Sequence, residues 1–224
     1  MYQGPVRFRV RAEPRAGPAR GRALTPKDPD PVTGIVLAGG RSSRFGRDKL
    51  RELYRGAPLL HHAVLRLSDV CLEVVVVVGP QGPEPDLPTR PGLRVARDPV
   101  EGRGPLAGLA AGLADVETEL ALVAAGDMPD MSSSVLLEMV GQVRMSGADA
   151  VALEYVGTLR PLPVALRVEP AREASRALLD RGERSLRALL TALRVARLGE
   201  GTWHPLDPHA GTLRDVDLPE DLSG

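Results

Sequence analysis

Short apolar runs that alternate with helical stretches leave this chain few ways to fold. Thr33-Gly34-Ile35-Val36-Leu37 reads as a buried strand that stops at the glycine turn Ala38-Gly39-Gly40. Pro58 opens a helical stretch through Leu59, Leu60, Ala63, Val64 and Leu67, and Val74 to Val78 reads as a second buried strand. Leu93 to Ala96 is a short third strand. Gly108 to Ala114 is helical, and Leu120 to Ala125 is a strand that ends at Gly126-Asp127. A helix over Ser133 to Met145, a strand over Ala150 to Leu153 and an extended piece from Leu162 to Leu166 follow. Helices over Ala171 to Leu179 and around Leu186 to Leu193 precede a C-terminal segment, Leu213 to Leu222. This order predicts a three-layer α/β fold. A mostly parallel central sheet carries helices on both faces, has a Rossmann-like nucleotide-binding half, and binds ligand beyond the carboxyl ends of its strands.

With 224 residues and 43% hydrophobic content, the chain can fill one such core. The domain is expected over residues 32–224. Residues 1–31 are rich in Arg, Pro and Gly, with Pro5, Pro14, Pro18, Pro26, Pro29 and Pro31 breaking any period, and read as a flexible extension. A basic arm that touches phosphate is the alternative reading of that segment. Lys+Arg and Asp+Glu both number 29, so the balanced charge argues against nucleic acid or an anionic membrane as partner and for a small-molecule substrate. No apolar run, Val74 to Val78 included, is nearly long enough to span a bilayer. Cys71 is the single cysteine, read as packing material, and a chain with no internal disulfide fits the cytoplasm.

The stretch from Leu37 to Lys49 carries the most chemistry. A strand followed by paired glycines lets the backbone at Leu37, Ala38, Gly39 and Gly40 approach a nucleotide closely. Arg44 and Lys49 then stand where they can neutralise a triphosphate. The spacing is neither a Walker A loop nor the three-glycine dinucleotide fingerprint. Asp127, at a strand's carboxyl end, can hold Mg²⁺, a hard ion that prefers oxygen ligands, or can cap a turn. Taken alone, Asp98 before Pro99 is a turn signal, and Asp217 caps the helix that Pro219 would start. His61, His62, His204 and His209 lack metal-ligand spacing. At least one of His61 and His62 is expected to face solvent, and Trp203 is expected on a surface strand. Ser42 and Ser43 show no nucleophile's partners.

These residues also carry a resemblance. LAGGRSSRFGRDK (37–49) is similar to the signature of the sugar-nucleotide and cofactor nucleotidyltransferases, with Phe45 in place of the usual Met. RDPVEGRGPLAGL (97–109) resembles the segment that marks molybdenum cofactor guanylyltransferases. AAGDMP (124–129), RPLPVAL (160–166), GERSLRALL (182–190) and DVDLPEDL (215–222) continue the match in family order. The resemblance covers residues from about 33 to the C-terminus and implies a nucleotide-diphospho-sugar transferase-like fold. It implies an enzyme that moves GMP from GTP to the phosphate of molybdenum-bearing molybdopterin and releases pyrophosphate. By the same resemblance Mg²⁺ sits on Asp127 and Asp217, Asp98 contacts the nucleotide, and Lys49 and Arg44 stabilise the leaving pyrophosphate. Arg160, Pro161 and Ser185 fall on the acceptor side. Cofactor-delivery proteins are the kind of partner such an enzyme would meet. The Asp215/Asp217 pair is more reminiscent of the cytidylyl branch, so a CTP-using relative is the rival enzyme. A nucleotide-binding protein without turnover is the rival from another class.

Overall fold

The computed structural model describes residues 30–39, 48–81, 84–99 and 104–223. Among the described residues, the main sheet has seven strands. They are β1 (Val32–Leu37), β4 (Glu73–Val78), β5 (Leu93–Arg97), β6 (Leu120–Ala125), β7 (Ala150–Tyr155), β8 (Thr158–Arg167) and β9 (Val195–Leu198), in the order β5-β4-β1-β6-β8-β7-β9. β2 (Leu53–Tyr54) and β3 (Ala57–Pro58) form a separate small hairpin. β1 pairs in parallel with both β4 and β6, and β7 with β9, while β8 runs antiparallel to β6 and β7.

The apolar runs form strands because both of their faces are covered. Along β1, Val32 and Val36 join one buried cluster and Ile35 joins the other. The first cluster takes side chains from α1 (Leu59–Ser68) and α3 (Ser133–Ser146), and the second from α2 (Pro105–Leu113), α4 (Val168–Asp180) and α5 (Leu186–Ala192). This is the expected three-layer α/β architecture, with each fully buried Val or Leu contributing roughly 1.5–3 kcal/mol. From β1 the chain first lays β4 and β5 on one side of it and then returns to place β6 on the other. Because α1 and α2 cover opposite faces, the helices part at the carboxyl ends of β1 and β6, which is where an open α/β sheet binds its ligands.

Several elements differ from the sequence expectation. α2 begins earlier than expected, with Pro105 in its first turn, where the missing N–H costs nothing. β8 spans ten residues, longer than the expected extended piece, since Pro161 and Pro163 in it weaken the strand signal. β9 and the β2–β3 hairpin had no counterpart in the expected elements. Trp203 is not on a surface strand. It is fully buried at the end of a one-turn helix, α6 (Glu200–Trp203), and its indole N–H donates to the Glu154 carbonyl at 3.0 Å. Neither His61 nor His62 is exposed. His61 Nε2 lies 3.1 Å from the Asp86 carbonyl and His62 Nε2 lies 2.7 Å from that of Tyr54. Among the described residues no helix is long and apolar enough to cross a membrane.

Candidate active site

Lys49 opens a short 3₁₀ turn, Lys49–Arg51, whose first N–H groups are served by the Asp48 carboxylate accepting from Leu50 N at 3.2 Å. The Leu50 side chain reaches the end of β6, where a Cβ on Gly126 would lie 3.3 Å from both its methyls. This contact delivers Lys49 to the residue after Gly126. Its Nζ lies 2.6 Å from Asp127 Oδ2 and 3.3 Å from Asp217 Oδ1, and it donates to the Val216 carbonyl at 2.9 Å. Charge-assisted contacts of this kind are about twice as strong as neutral ones. Burial works against the ammonium, yet its hydrogen bonds to and attraction by Asp127 and Asp217 prevail and hold its pKa above the ordinary lysine value.

The other partners come from chain closure. Val216 N donates to the Asp127 carbonyl at 2.9 Å, stitching the C-terminal segment onto the loop after β6. Asp221 accepts from the backbone N–H groups of Asp217 and Leu218 at 2.9 and 2.8 Å and so fixes the turn that presents Asp217. Asp215 stands beside this pair. Burial first, and then the neighbouring charges of Asp217 and Asp127, push its carboxyl above the usual range. Asp215 was legible in the sequence only as half of an acidic pair.

Leu37, Ala38 and Gly39 run along the same edge. Gly126 N donates to the Leu37 carbonyl at 3.0 Å and Ala38 N to that of Val77 at 2.8 Å, so the end of β1 is fastened on both sides. Among the described residues, a Cβ at Gly39 would meet its nearest neighbour, Gly79 N, at 3.5 Å, an ordinary contact. Asp98 lies two strands away, just past β5, with its N–H on the Val78 carbonyl at 2.9 Å. Gly40 and Arg44 lie outside the described residues.

On the acceptor side, antiparallel pairing of β8 with β6 carries Arg160 and Pro161 past the carboxyl end of β6. Ser185 caps α5 by accepting from Arg187 N at 3.0 Å. Beside it, the Arg184 carbonyl accepts from Leu106 N at 3.2 Å, so this loop abuts the start of α2. Gly104 is required at that junction, because its φ is 80° and a Cβ would sit 2.9 Å from Arg184. A recess of about 390 Å³ between Val116 and Pro170 lies at the opposite ends of β6 and β8 and contains none of these residues.

Among the described residues no three His, Cys, Asp or Glu side chains form a ready metal cage. Two carboxylates on one ammonium do fit Mg²⁺, which is held through one or two carboxylates together with waters and substrate phosphates.

A probable molybdenum cofactor guanylyltransferase of Chloroflexus aggregans is 37% identical over 196 residues, which is 85% of this chain and 91% of the relative. The molybdopterin-guanine dinucleotide biosynthesis protein A of Archaeoglobus fulgidus superposes with a TM-score of 0.69 at 21% identity, covering 85% of this chain and 95% of that one. A Mycobacterium tuberculosis protein whose crystal structure is a complex with manganese superposes with a TM-score of 0.55 at 17% identity, over 75% and 88% of the two chains. The model of the MobA-like NTP transferase domain matches residues 34–197, from β1 through the strands that set Asp127 in place, and the chain belongs to that family.

Proposed function

We propose that this protein transfers GMP from GTP to the terminal phosphate of molybdenum-bearing molybdopterin, forming the guanine dinucleotide cofactor and releasing pyrophosphate. The observation that carries the reading is Lys49, set between Asp127 and Asp217 beside the glycine-ended strand β1. Family membership and the guanylyltransferase relative supply the substrates. We assign residues 32–224 as the catalytic unit and 1–31 as an extension to it.

An oxygen of the acceptor phosphate attacks the α-phosphorus of GTP in line. The new P–O bond forms as the bond from the α-phosphorus to the bridging oxygen breaks, and pyrophosphate leaves with that electron pair. An ionised phosphate is already a nucleophile and needs no general base, so the protein's work is positioning and charge neutralisation. The backbone at Leu37, Ala38 and Gly39 holds base and ribose, and Gly40 and Asp98 are assigned as further nucleotide contacts. Lys49, kept protonated by its carboxylate neighbours, meets the charge that develops on the leaving group, with Arg44 assigned the same task. Asp127 and Asp217 are the residues that would hold Mg²⁺, which when bound stabilises negative charge on the phosphate oxygens. Arg160, Pro161 and Ser185 are assigned to the acceptor side.

The test is pyrophosphate release with GTP, Mg²⁺ and molybdenum cofactor together. Release that requires all three supports the reading, and absence of release with the complete mixture rejects it.

A further inference from the structure

Three chain segments meet at the candidate site, and behind it one cluster of side chains joins all three. Tyr54 follows the turn that carries Lys49, Asp130 lies in the loop that carries Asp127, and Arg214 directly precedes Asp215. The Tyr54 hydroxyl donates to Asp130 Oδ2 at 2.7 Å, and Arg214 donates to the same oxygen at 3.3 Å. Arg55 donates to Asp130 Oδ1 at 2.8 Å, and its guanidinium lies over the Tyr54 ring, 4.7 Å from the centroid. Tyr54 is fully buried, against Leu59 and Val216. Arg55 sits at φ 46°, a conformation sparse for non-glycine residues, with Asp130 and the ring holding it there. Arg214 also donates to the Asp221 carbonyl at 3.1 Å, and Asp221 is the residue that fixes the turn of Asp217.

We propose that Tyr54, Asp130 and Arg214 are positioning residues that keep Lys49, Asp127 and Asp217 in reacting register, an inference that rests on the transfer reading above. One carboxylate accepts from donors on two other segments, so its charge fixes where those segments lie relative to the loop of Asp127. Without that charge Arg55 and Arg214 lose their shared anion, and the segment 213–218 can drift relative to the loop 126–131 about the hydrogen bond that remains from Val216 N to the Asp127 carbonyl. Catalytic groups need placement within about 0.5 Å, so such drift lowers turnover while leaving the nucleotide contacts of β1 in place.

The experiment uses Asp130→Asn and Tyr54→Phe in the full chain. Turnover with GTP, Mg²⁺ and molybdenum cofactor is measured beside melting temperature and amide hydrogen exchange. The expected result is a fall in kcat of about 10–100-fold with KM for GTP nearly unchanged, the pattern for loss of groups that support a site from behind. Peptides covering 213–218 should exchange faster, with those covering 150–155 unaltered. A folded variant that keeps wild-type kcat, or wild-type exchange over 213–218, overturns the proposal. If Asp130→Asn does not fold, Tyr54→Phe, which removes one hydroxyl and leaves the ring packed, decides by the same measurements. Wild-type protein with no turnover would sink the guanylyl reading alone, and exchange over 213–218 would still decide whether the cluster holds that segment.

Discussion

Asp127 was visible in the sequence because its position is a local fact, a carboxylate directly after an apolar strand and a glycine. The same holds for Leu37 to Gly39. Lys49 was visible as a cation downstream of a glycine turn, but its contact with Asp217 was not, because that pairing depends on how the C-terminal segment folds back across the sheet edge. The cluster of Tyr54, Asp130 and Arg214 had no local signal at all, since no periodicity or turn chemistry links those positions. Asp127→Asn keeps the shape of the side chain and one oxygen for Lys49, so the fold should survive. Loss of the charge should cost on the order of several kcal/mol of transition-state stabilisation. Pyrophosphate release together with the thermal melt checks this, and near-normal turnover by the folded variant would contradict it. Cys71 is buried against α1 and β1, and burial pushes its thiol up to about 12. We therefore expect no reaction with a thiol reagent at pH 8 until the protein unfolds, whereas rapid labelling of the native protein would disprove the burial.

At the scale of elements, the parallel centre of the sheet was legible because strands covered on both faces need continuous apolar runs. The edges were not. β2 and β3 are two residues each, too short to show a period, and the prolines of β8 hide a strand that pairs fully with β6 only beyond them. Packing of α2 on the sheet can be tested at its two inner glycines. A Cβ at Gly112 would meet methyls of Ile35 and Val77 at 2.8 and 2.9 Å, whereas one at Gly108 would meet its nearest neighbour at 3.7 Å. Gly112→Ala should destabilise by about 1–3 kcal/mol because the buried methyls cannot yield. Gly108→Ala should be neutral or stabilising by up to about 1 kcal/mol, the helix-propensity gain. Denaturant midpoints of the two variants distinguish them, and equal effects would refute the close packing at Gly112.

The join of β7 to β9 has its own test. Asp149, just before β7, accepts from Arg194 Nε and backbone N at 3.0 Å and from an Arg194 Nη atom at 2.6 Å. Those hydrogen bonds, stronger than the burial that opposes them, hold its carboxyl below the usual range. The folded state thus binds this proton less readily than the unfolded one. The stabilisation is complete above the unfolded pKa of about 3.9 and is lost as pH falls through the lower folded value. Asp149→Asn should therefore be less stable than wild type at neutral pH, with the gap closing in strong acid. A gap independent of pH would show that the charge plays no part.

For the whole molecule, the order β5-β4-β1-β6 determines where chemistry can occur, because it places the ends of β1 and β6 side by side where the flanking helices part. A balanced charge, with 29 basic and 29 acidic residues, leaves selection of the substrate to that edge and not to long-range attraction. On the proposed reading, that edge is built for GTP. Gly104 to Gly108, held against Arg184, resembles the guanylyl branch, while the Asp215/Asp217 pair also suits a cytidylyl enzyme. The first carries more weight, because on the proposed reading the acidic residues would serve a metal that any nucleoside triphosphate brings. A site that pairs with guanine leaves buried polar groups unmatched when cytosine enters, at a cost of about 1–3 kcal/mol for each. The most direct measurement is competition between equal GTP and CTP with molybdenum cofactor and Mg²⁺, scored by the mass of the dinucleotide formed. The guanine dinucleotide should dominate, and a cytosine dinucleotide as the main product would contradict the guanylyl assignment.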